Sequence, residues 1–338
     1  GDVRLVEQWY RMNRSRNLSE FKQAMSIHAI PMFNTGYADK SGNIYYVYNA
    51  RIPKRHPDLN WNEVVPGDKS IYLWNDYIPY NDLPQIENPA GGFIYSCNNT
   101  PYLCTDDPKD FPNRLPKNTG IDTHQTNRAL RALELYGKDK NISREEFLSY
   151  KYDKQYSKDS HIANVLEKFI MDSKDIASDL KPAIDLLRNW NLSGEEENKE
   201  AALGFLTFRH IGFNSEEYTY DYDKIVKKLE DGVKFLIENY GKIDVPLGTV
   251  QRLKHGTVNL PLGGGPDMLR AIYTRNDGNI MKGVAGDCYI QFIEWDPEGN
   301  IYSESIHQFG ARTLVKDSKH FNDQAKLFSK EIMKPMRK

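Results

Sequence analysis

A long helical block in the middle of the sequence limits the folds that this chain can adopt. Between about residue 122 and residue 240, apolar side chains recur with the period typical of helices. The spacing predicts helices over 124–136, 143–151, 158–172, 176–190, 195–210 and 223–239. Short runs typical of strands lie on both sides of this block, so the pattern predicts an α+β protein with one sheet system and a helical insertion.

The segment before the block predicts two helices followed by strands. The first helix covers about 3–14, and a second begins after Asn17, with Ser19 as its cap. Residues 33–38 and 44–48 read as strands, and the turn residues between them predict a β-hairpin. A further strand is predicted over Phe93–Asn98.

The segment after the block predicts a return to strands. We expect a loop over 241–266, strands over 268–274, 283–295 and 299–309, and a last helix over 321–333. The chain therefore divides into three parts of one structural unit, residues 1–120, 121–240 and 241–338.

Composition excludes several classes of protein and leaves others open. The 45 basic and 47 acidic residues nearly cancel, which argues against a nucleic-acid partner. No apolar run approaches the ~20 residues that span a bilayer, and the first residues do not resemble a signal peptide. The 21 tyrosines suit an acyl pocket, a sugar site or an interface. Cys97 and Cys104 are spaced so that they could pair across a turn, but buried free thiols fit equally well.

Several motifs occur in an order that resembles one known family. They are Asp39–Val47 with Arg51-Ile-Pro53, Tyr77-Ile-Pro-Tyr80, Leu83-Pro84, Asn88–Ile94, Asn98-Asn-Thr-Pro101, Leu260–Pro266, Gly286–Gln291 and His320–Gln324. The whole chain resembles the C-terminal part of the second (β) chain of the penicillin acylase and acyl-homoserine lactone acylase family. The resemblance implies a portion of the αββα sandwich of N-terminal-nucleophile hydrolases.

The same resemblance implies a mechanism whose nucleophile is not in this chain. Family members are cut from a precursor, and the new terminal Ser, Thr or Cys attacks the amide while its own α-amine, with a pKa of ~8, acts as base. This sequence starts at Gly1, which has no nucleophilic side chain. We therefore expect the nucleophile and the first chain to lie outside these residues, and the chain alone to be inactive.

Asn98 is the candidate catalytic residue. It matches the family asparagine whose amide donates a hydrogen bond to the oxyanion, a fixed neutral donor worth ~3 kcal/mol. Strand periodicity places Asn98 and Asn99 on opposite faces, and the motif selects Asn98. A strand-end asparagine that satisfies a turn is the alternative.

Two aromatic residues are the candidate substrate-binding positions. Trp9 and Phe33 match family positions that line the acyl pocket, where large rigid side chains provide a concave apolar surface. The alternative for each is an ordinary core aromatic.

No metal site and no cofactor are predicted for this chain. The histidines lack metal-ligand spacing. Asp106, Asp107 and Asp110 form an acidic loop, and some family members bind calcium with a carboxylate from this loop. Asp107 and Asp110 are therefore weak calcium candidates in the intact parent protein, and a solvated acidic loop is the alternative.

The functional hypothesis is an amidohydrolase that acts on N-acylated small molecules of the β-lactam or acyl-homoserine lactone type. Its partners would be that substrate and the missing part of the same precursor, and the resemblance implies a periplasmic or secreted parent. The alternative is a non-catalytic cell-surface protein that binds glycans or peptides through its aromatic residues.

Overall fold

The chain folds into two compact units, Gly1–Gln125 and Thr126–Lys338. The structure, a computed structural model, describes residues 3–110, 112–211 and 218–336. The division of the sequence into 1–120, 121–240 and 241–338 stays a prediction.

The first unit begins with two helices and continues into a small antiparallel sheet. The helices are α1 (Leu5–Arg14) and α2 (Leu18–Met25), and the strands are β1 (Met32–Ala38), β2 (Ile44–Ala50) and β3 (Gln85–Glu87), in the spatial order β1-β2-β3. Both predicted helices are confirmed. The cap of α2 is Asn17, not Ser19, because the Asn17 side chain accepts a hydrogen bond from the Glu20 N–H at 2.9 Å.

The predicted β-hairpin is confirmed, and its turn is built by side-chain hydrogen bonds. Asp39 Oδ1 accepts the N–H groups of Ser41 at 2.8 Å and Asn43 at 3.2 Å. Gly42 has a φ of 84°, a conformation that glycine adopts without steric cost. The register places Phe33 opposite Asn49 and Ala38 opposite Ile44.

A small apolar core holds the elements of the first unit together. Apolar residues of α2, including Phe21 and Met25, pack against Tyr45 and Val47 of β2. Helix α1 is attached mainly through Gln8, which is fully buried and whose Oε1 accepts the N–H groups of Ala29 at 2.7 Å and Ile30 at 3.0 Å. This anchor fixes the helix that carries Trp9.

The helical block of the second unit is confirmed. Its α-helices are α3 (Asn127–Ala132), α4 (Arg144–Lys151), α5 (His161–Asp172), α6 (Lys181–Arg188), α7 (Ala201–Phe208) and α8 (Tyr222–Tyr240). The capping box predicted at the start of α4 is present, between Ser143 and Glu146. Helix α7 is buried along its whole length in the core of this unit.

Two sheets follow the helical block. A short helix, α9 (Leu247–Val250), precedes their first strand. The strands are β4 (Gln251–His255), β5 (Val258–Pro261), β6 (Ile272–Asp277), β7 (Ile280–Gly286), β8 (Tyr289–Trp295), β9 (Ile301–His307) and β10 (Lys334–Pro335). The orders are β5-β4-β7-β6, in which β4 and β7 run parallel, and β10-β9-β8.

Three predictions for this region are wrong. The stretch 241–266 is not a loop throughout, since it contains α9, β4 and β5. The predicted strand 283–295 is two strands, because Gly286 has a φ of 110° and a Cβ there would lie 2.1 Å from the Ala271 carbonyl oxygen. The last helix, α10 (Ala325–Ser329), is much shorter than predicted.

A buried arginine connects several of these elements. The Arg270 side chain is only 1% exposed and lies within 3.2 Å of Asp287 and 3.5 Å of Glu331. Its guanidinium is 4.1 Å from the centre of the Phe328 ring. Burial of a charge is tolerated here because partners and an aromatic face surround it.

Within the described ranges, no helix combines the length and apolar character needed to cross a bilayer. Cys97 and Cys104 are both free thiols, so the pairing left open by their spacing does not occur in this structure.

Candidate functional site

The candidate catalytic residue lies on a loop that is closed by its own backbone. The Tyr95 N–H donates to the Cys104 carbonyl at 2.9 Å. The strand predicted over Phe93–Asn98 is wrong, because no strand is formed by these residues and their hydrogen bonds serve the loop instead. The period-of-two argument for choosing between the two asparagines therefore does not apply.

Asn99 holds the interior of this loop. The residue is only 6% exposed. Its Oδ1 accepts the Cys97 N–H at 2.9 Å, while Nδ2 donates to the Thr100 carbonyl at 3.0 Å and the Leu103 carbonyl at 2.8 Å. The amide of Asn99 is thus occupied by the loop itself.

Asn98 differs from its neighbour in conformation and exposure. Its φ is 58°, in the left-handed region that asparagine tolerates better than most residues with a side chain. This conformation sends the side chains of the two asparagines into different environments, and Asn98 is exposed. The residue selected by the motif is therefore the one that solvent or a ligand can reach.

Asn98 lines a cavity of about 410 Å³ in the first unit, a size suited to a small molecule. The lining residues come from β1, β2, the 95–104 loop and the segment that follows it: Met32, Phe33, Asn34, Tyr48, Ser96, Asn98, Asn99, Thr100, Pro101, Ile121 and Asp122. The Thr100 N–H donates to the His124 carbonyl at 3.2 Å and so ties the loop to residues 121–124.

The two predicted acyl-pocket residues are in contact with each other. Phe33 lines the cavity and is 55% exposed. Trp9 does not line it directly, but its ring meets the Phe33 ring edge to face, with centroids 6.1 Å apart. Trp9 therefore supports the apolar wall that Phe33 and Met32 present.

The rest of the cavity lining is mostly polar, with Pro101 and Ile121 as its apolar members. The Tyr46 hydroxyl donates to Asn34 Oδ1 at 3.0 Å and orients that amide. Burial raises the pKa of Tyr48, and the Asp122 carboxylate raises it further, so Tyr48 contributes a neutral hydroxyl. Asn34, Tyr48 and Asp122 were not found by sequence reasoning, because no motif or spacing distinguishes them from surface residues.

Comparison with known proteins identifies the family. The sequence profile of the penicillin amidase family matches residues 2–338. The chain belongs to the penicillin amidase family.

Individual relatives within this family are distant. Penicillin G acylase of Escherichia coli is 31% identical over 104 residues, which cover 31% of this chain and 11% of that protein. Acyl-homoserine lactone acylase PvdQ of Pseudomonas fluorescens (strain Pf0-1) is 24% identical over 382 aligned positions, which cover 97% of this chain and 47% of the relative. The chain spans about half the length or less of the curated relatives that it matches.

A solved family structure confirms the fold class. A thermostable penicillin G acylase from Alcaligenes faecalis superposes with a TM-score of 0.60, at 16% identity, over 99% of this chain and 69% of that one. The α+β class predicted from the sequence and the fold of an N-terminal-nucleophile hydrolase are therefore confirmed.

The acidic loop considered for calcium lies apart from the cavity lining. Asp107 Oδ1 accepts the Lys109 N–H at 2.9 Å, and Asp110 Oδ2 accepts the Ala90 N–H. Throughout residues 3–110, 112–211 and 218–336, no group of three or more His, Cys, Asp or Glu side chains is arranged to hold a metal ion. The two carboxylates that are weak calcium candidates thus already cap local backbone.

A larger cleft of about 740 Å³ lies in the second unit, and several of its charged side chains are held in ion pairs. Lys154 lies 2.9 Å from Glu195 and 3.0 Å from Glu331, and Arg144 lies 3.2 Å from Glu304. Ion pairs of this kind fit a structural role. The cavity beside Asn98 is smaller, yet it carries the family motif.

Proposed function

We propose that this chain is part of an amidohydrolase that cleaves the amide bond of N-acylated small molecules. Membership of the penicillin amidase family supports the reaction class, and relatives named as acylases of penicillin G and of acyl-homoserine lactones support the substrate class. The conclusion depends most on one observation, which is the contrast between the two neighbouring asparagines at the cavity.

In this proposal, Asn98 donates a hydrogen bond from its side-chain amide to the oxyanion of the tetrahedral intermediate. A donor is effective in this role when it is fixed before the reaction begins. The 95–104 loop provides that fixation, because Asn99 and the Tyr95–Cys104 hydrogen bond define the backbone on either side of Asn98. Asn98 itself is exposed at the cavity, where a substrate carbonyl can approach.

The acyl group would lie against Met32 and Phe33, with Trp9 behind Phe33. These residues are 67%, 55% and 40% exposed, respectively, and the contact between Trp9 and Phe33 joins them into one apolar surface that an acyl group would cover. Removing such area from water favours binding by about 25 cal/mol per Å².

The attacking group would come from a part of the protein outside this sequence. The relative PvdQ has roughly as much chain again beyond the region that this chain matches, and another relative, from Pseudomonas sp. (strain SE83), is named a proenzyme. We propose a processed precursor whose other portion supplies a terminal Ser, Thr or Cys and its amine base, in a periplasmic or secreted protein. Calcium in the whole protein would take Asp107 or Asp110 as an oxygen donor, and no step of the proposal requires it.

The test is substitution of Asn98 by glycine and by aspartate in the complete enzyme. Glycine keeps the left-handed backbone and removes the donor, whereas aspartate keeps the size and replaces the donor by an acceptor. We expect both variants to lower kcat by about 100-fold or more, with little change in KM. Activity within about threefold of wild type in Asn98→Gly would refute the oxyanion role.

A second measurement tests the absence of the nucleophile from this chain. The purified 338-residue polypeptide is expected to release no amine from N-acyl substrates, while the complete protein does so. Turnover by the polypeptide alone, at a rate comparable with that of the complete protein, would contradict this part of the proposal.

A further inference from the structure

Strand β1 forms one edge of the sheet in the first unit. The spatial order is β1-β2-β3, so in the described part of the chain one side of β1 has no partner strand. Antiparallel strands alternate between residue pairs that exchange main-chain hydrogen bonds and pairs that do not. The Arg51 N–H donates to the Pro31 carbonyl at 2.9 Å, just before β1. The Asp39 N–H donates to the Asn43 carbonyl at 3.1 Å, just after it. These two bonds fix the phase of the alternation, and the residues of β1 whose main-chain groups are directed to the open side are Met32, Asn34, Gly36 and Ala38.

This edge lacks the features that usually protect an edge strand from pairing. Proteins protect such edges with charged side chains, prolines, bulges or very short strands. Strand β1 has seven residues, none of which is charged or a proline, and it pairs with β2 without a register shift. Gly36 and Ala38 on its open side are exposed. An unprotected edge of this length is suited to binding a further strand.

Helix α1 presents an exposed apolar stripe, formed by Val6, Trp9 and Tyr10, next to this strand. Val6 is 72% exposed and Tyr10 is 64% exposed, and the two lie one helical turn apart on the same side. Gln8 is the one buried residue of α1. The helix therefore directs apolar side chains outward and is held by a polar one, the reverse of an ordinary surface helix. The ring contact between Trp9 and Phe33 joins the α1 stripe to β1.

We propose that the open edge of β1 and the α1 stripe form one docking surface for the portion of the protein that lies outside this sequence. That portion adds a strand to β1 and covers the α1 stripe with apolar side chains. The inference rests on the precursor included in the proposed function and assigns the place where its other portion binds. The region matched by this chain is 47% of PvdQ and 69% of the solved Alcaligenes faecalis chain, so both relatives have further chain that such a surface can bind. In this mode of binding, main-chain hydrogen bonds provide affinity and alternate side chains provide specificity.

The docking surface borders the candidate cavity. Met32 and Asn34 belong both to the open edge and to the cavity lining. A strand paired with β1 lies about 4.8 Å from it, within reach of the cavity rim. The docked strand therefore shares the cavity with this chain.

Hydrogen exchange of single amides in the complete protein tests whether the edge is covered. The register places the N–H groups of Thr35 and Tyr37 in hydrogen bonds to β2, so these two amides are protected in either case. We expect the outward N–H groups of Asn34, Gly36 and Ala38 to exchange at rates within about 10-fold of theirs. Exchange of the three outward amides at least about 100-fold faster than that of Thr35 and Tyr37 would show an open edge and overturn the inference.

Photo-cross-linking identifies what covers the surface. Tyr10 is replaced by benzoylphenylalanine, which keeps an aromatic ring at this exposed position of the α1 stripe. Irradiation of the complete protein should link it to a peptide from outside residues 1–338. A link to a second copy of this chain, or links within residues 1–338 alone, would refute the proposed occupant.

Two matched pairs of variants test the two parts of the surface. Gly36→Pro removes an outward N–H and leaves the bonds to β2, whereas Gly36→Ala keeps that N–H; an added Cβ meets Ile94 at 3.7 Å, an ordinary contact. Gly36→Pro should speed exchange of the Asn34 amide by about 10-fold or more, and Gly36→Ala should leave it unchanged. Val6→Lys should have a similar effect, whereas Val64→Lys, at a fully exposed position, should have none. Equal exchange within both pairs would contradict the docking surface, and if Gly36→Pro fails to fold, the wild-type exchange rates and the cross-link still decide.

Failure of the proposed function has a different signature, because none of these measurements depends on hydrolysis. A complete protein that hydrolyses no N-acyl amide but has a protected β1 edge refutes the proposed function and supports the docking surface. An active protein whose outward amides exchange rapidly refutes the docking surface and leaves the proposed function in place.

Discussion

Replacement of Asn99 by alanine should destabilise the first unit, although the neighbouring Asn98 can be replaced without such a cost. The Asn99 amide makes three hydrogen bonds, to the Cys97 N–H and to the carbonyls of Thr100 and Leu103, at 2.8–3.0 Å. Each contributes about 1 kcal/mol net, and the residue is only 6% exposed, so water cannot easily replace them. We expect Asn99→Ala to lower the free energy of unfolding by about 2–4 kcal/mol.

The comparison variant is Asn98→Gly. Asn98 is exposed and has a φ of 58°, a conformation that glycine adopts freely, so the expected change in unfolding free energy is within about 0.5 kcal/mol. Urea unfolding followed by circular dichroism measures both values, with equal slopes required for the comparison. If Asn99→Ala proves as stable as wild type, or if Asn98→Gly is the more destabilised variant, the three hydrogen bonds of Asn99 do not stabilise the loop.

Three further predictions concern other parts of the chain. Phe33→Ala should raise KM for substrates with long acyl chains by about 10-fold in the complete enzyme. Trp9→Ala should raise KM less, because Trp9 acts through its ring contact with Phe33, at 6.1 Å between centroids. Steady-state kinetics with a short and a long acyl chain measures both effects. Burial raises the pKa of the Cys104 thiol to about 12, so this thiol stays protonated at mildly alkaline pH. Mass spectrometry should show that iodoacetamide modifies the exposed Cys288 first and Cys104 only after unfolding. Equal labelling rates of the two thiols would contradict this. Arg270→Met should lower the free energy of unfolding, measured with urea, by about 3 kcal/mol. This is the lower end of the range for breaking a buried ion pair, because Lys151 and Lys154 remain beside the carboxylates of Asp287 and Glu331. A loss below about 1 kcal/mol would argue against the proposed role of Arg270.

The sequence predicted the elements that are determined by residues close together in the chain, such as turns, helix caps and periodic helices. The hairpin of β1 and β2 follows from the turn residues between Asp39 and Asn43, and the start of α4 follows from Ser143 and Glu146. The helical block was found for the same reason, since a period of 3.6 is visible without knowledge of tertiary partners.

Features that depend on distant partners were missed or misassigned. Strand β4 pairs in parallel with β7, about 30 residues later, and no nearby residue signals that pairing. The motif selected Asn98, which the structure shows to be exposed, but residues 93–98 do not form the strand that was used to separate Asn98 from Asn99. Asp122 lines the cavity although it is distant in sequence from β1 and β2, and the Thr100–His124 hydrogen bond joins its segment to the 95–104 loop.

The closed loop from Tyr95 to Cys104 has a consequence for how such a protein can diversify. The hydrogen bonds that shape the loop are made largely within it, by Asn99 and by its two ends. Side chains that would meet the acyl group in the proposed enzyme, such as Phe33 of β1, belong to other stretches of the chain. In the proposed enzyme, mutations at such positions would change which acyl groups bind, while the backbone around Asn98 would keep its shape.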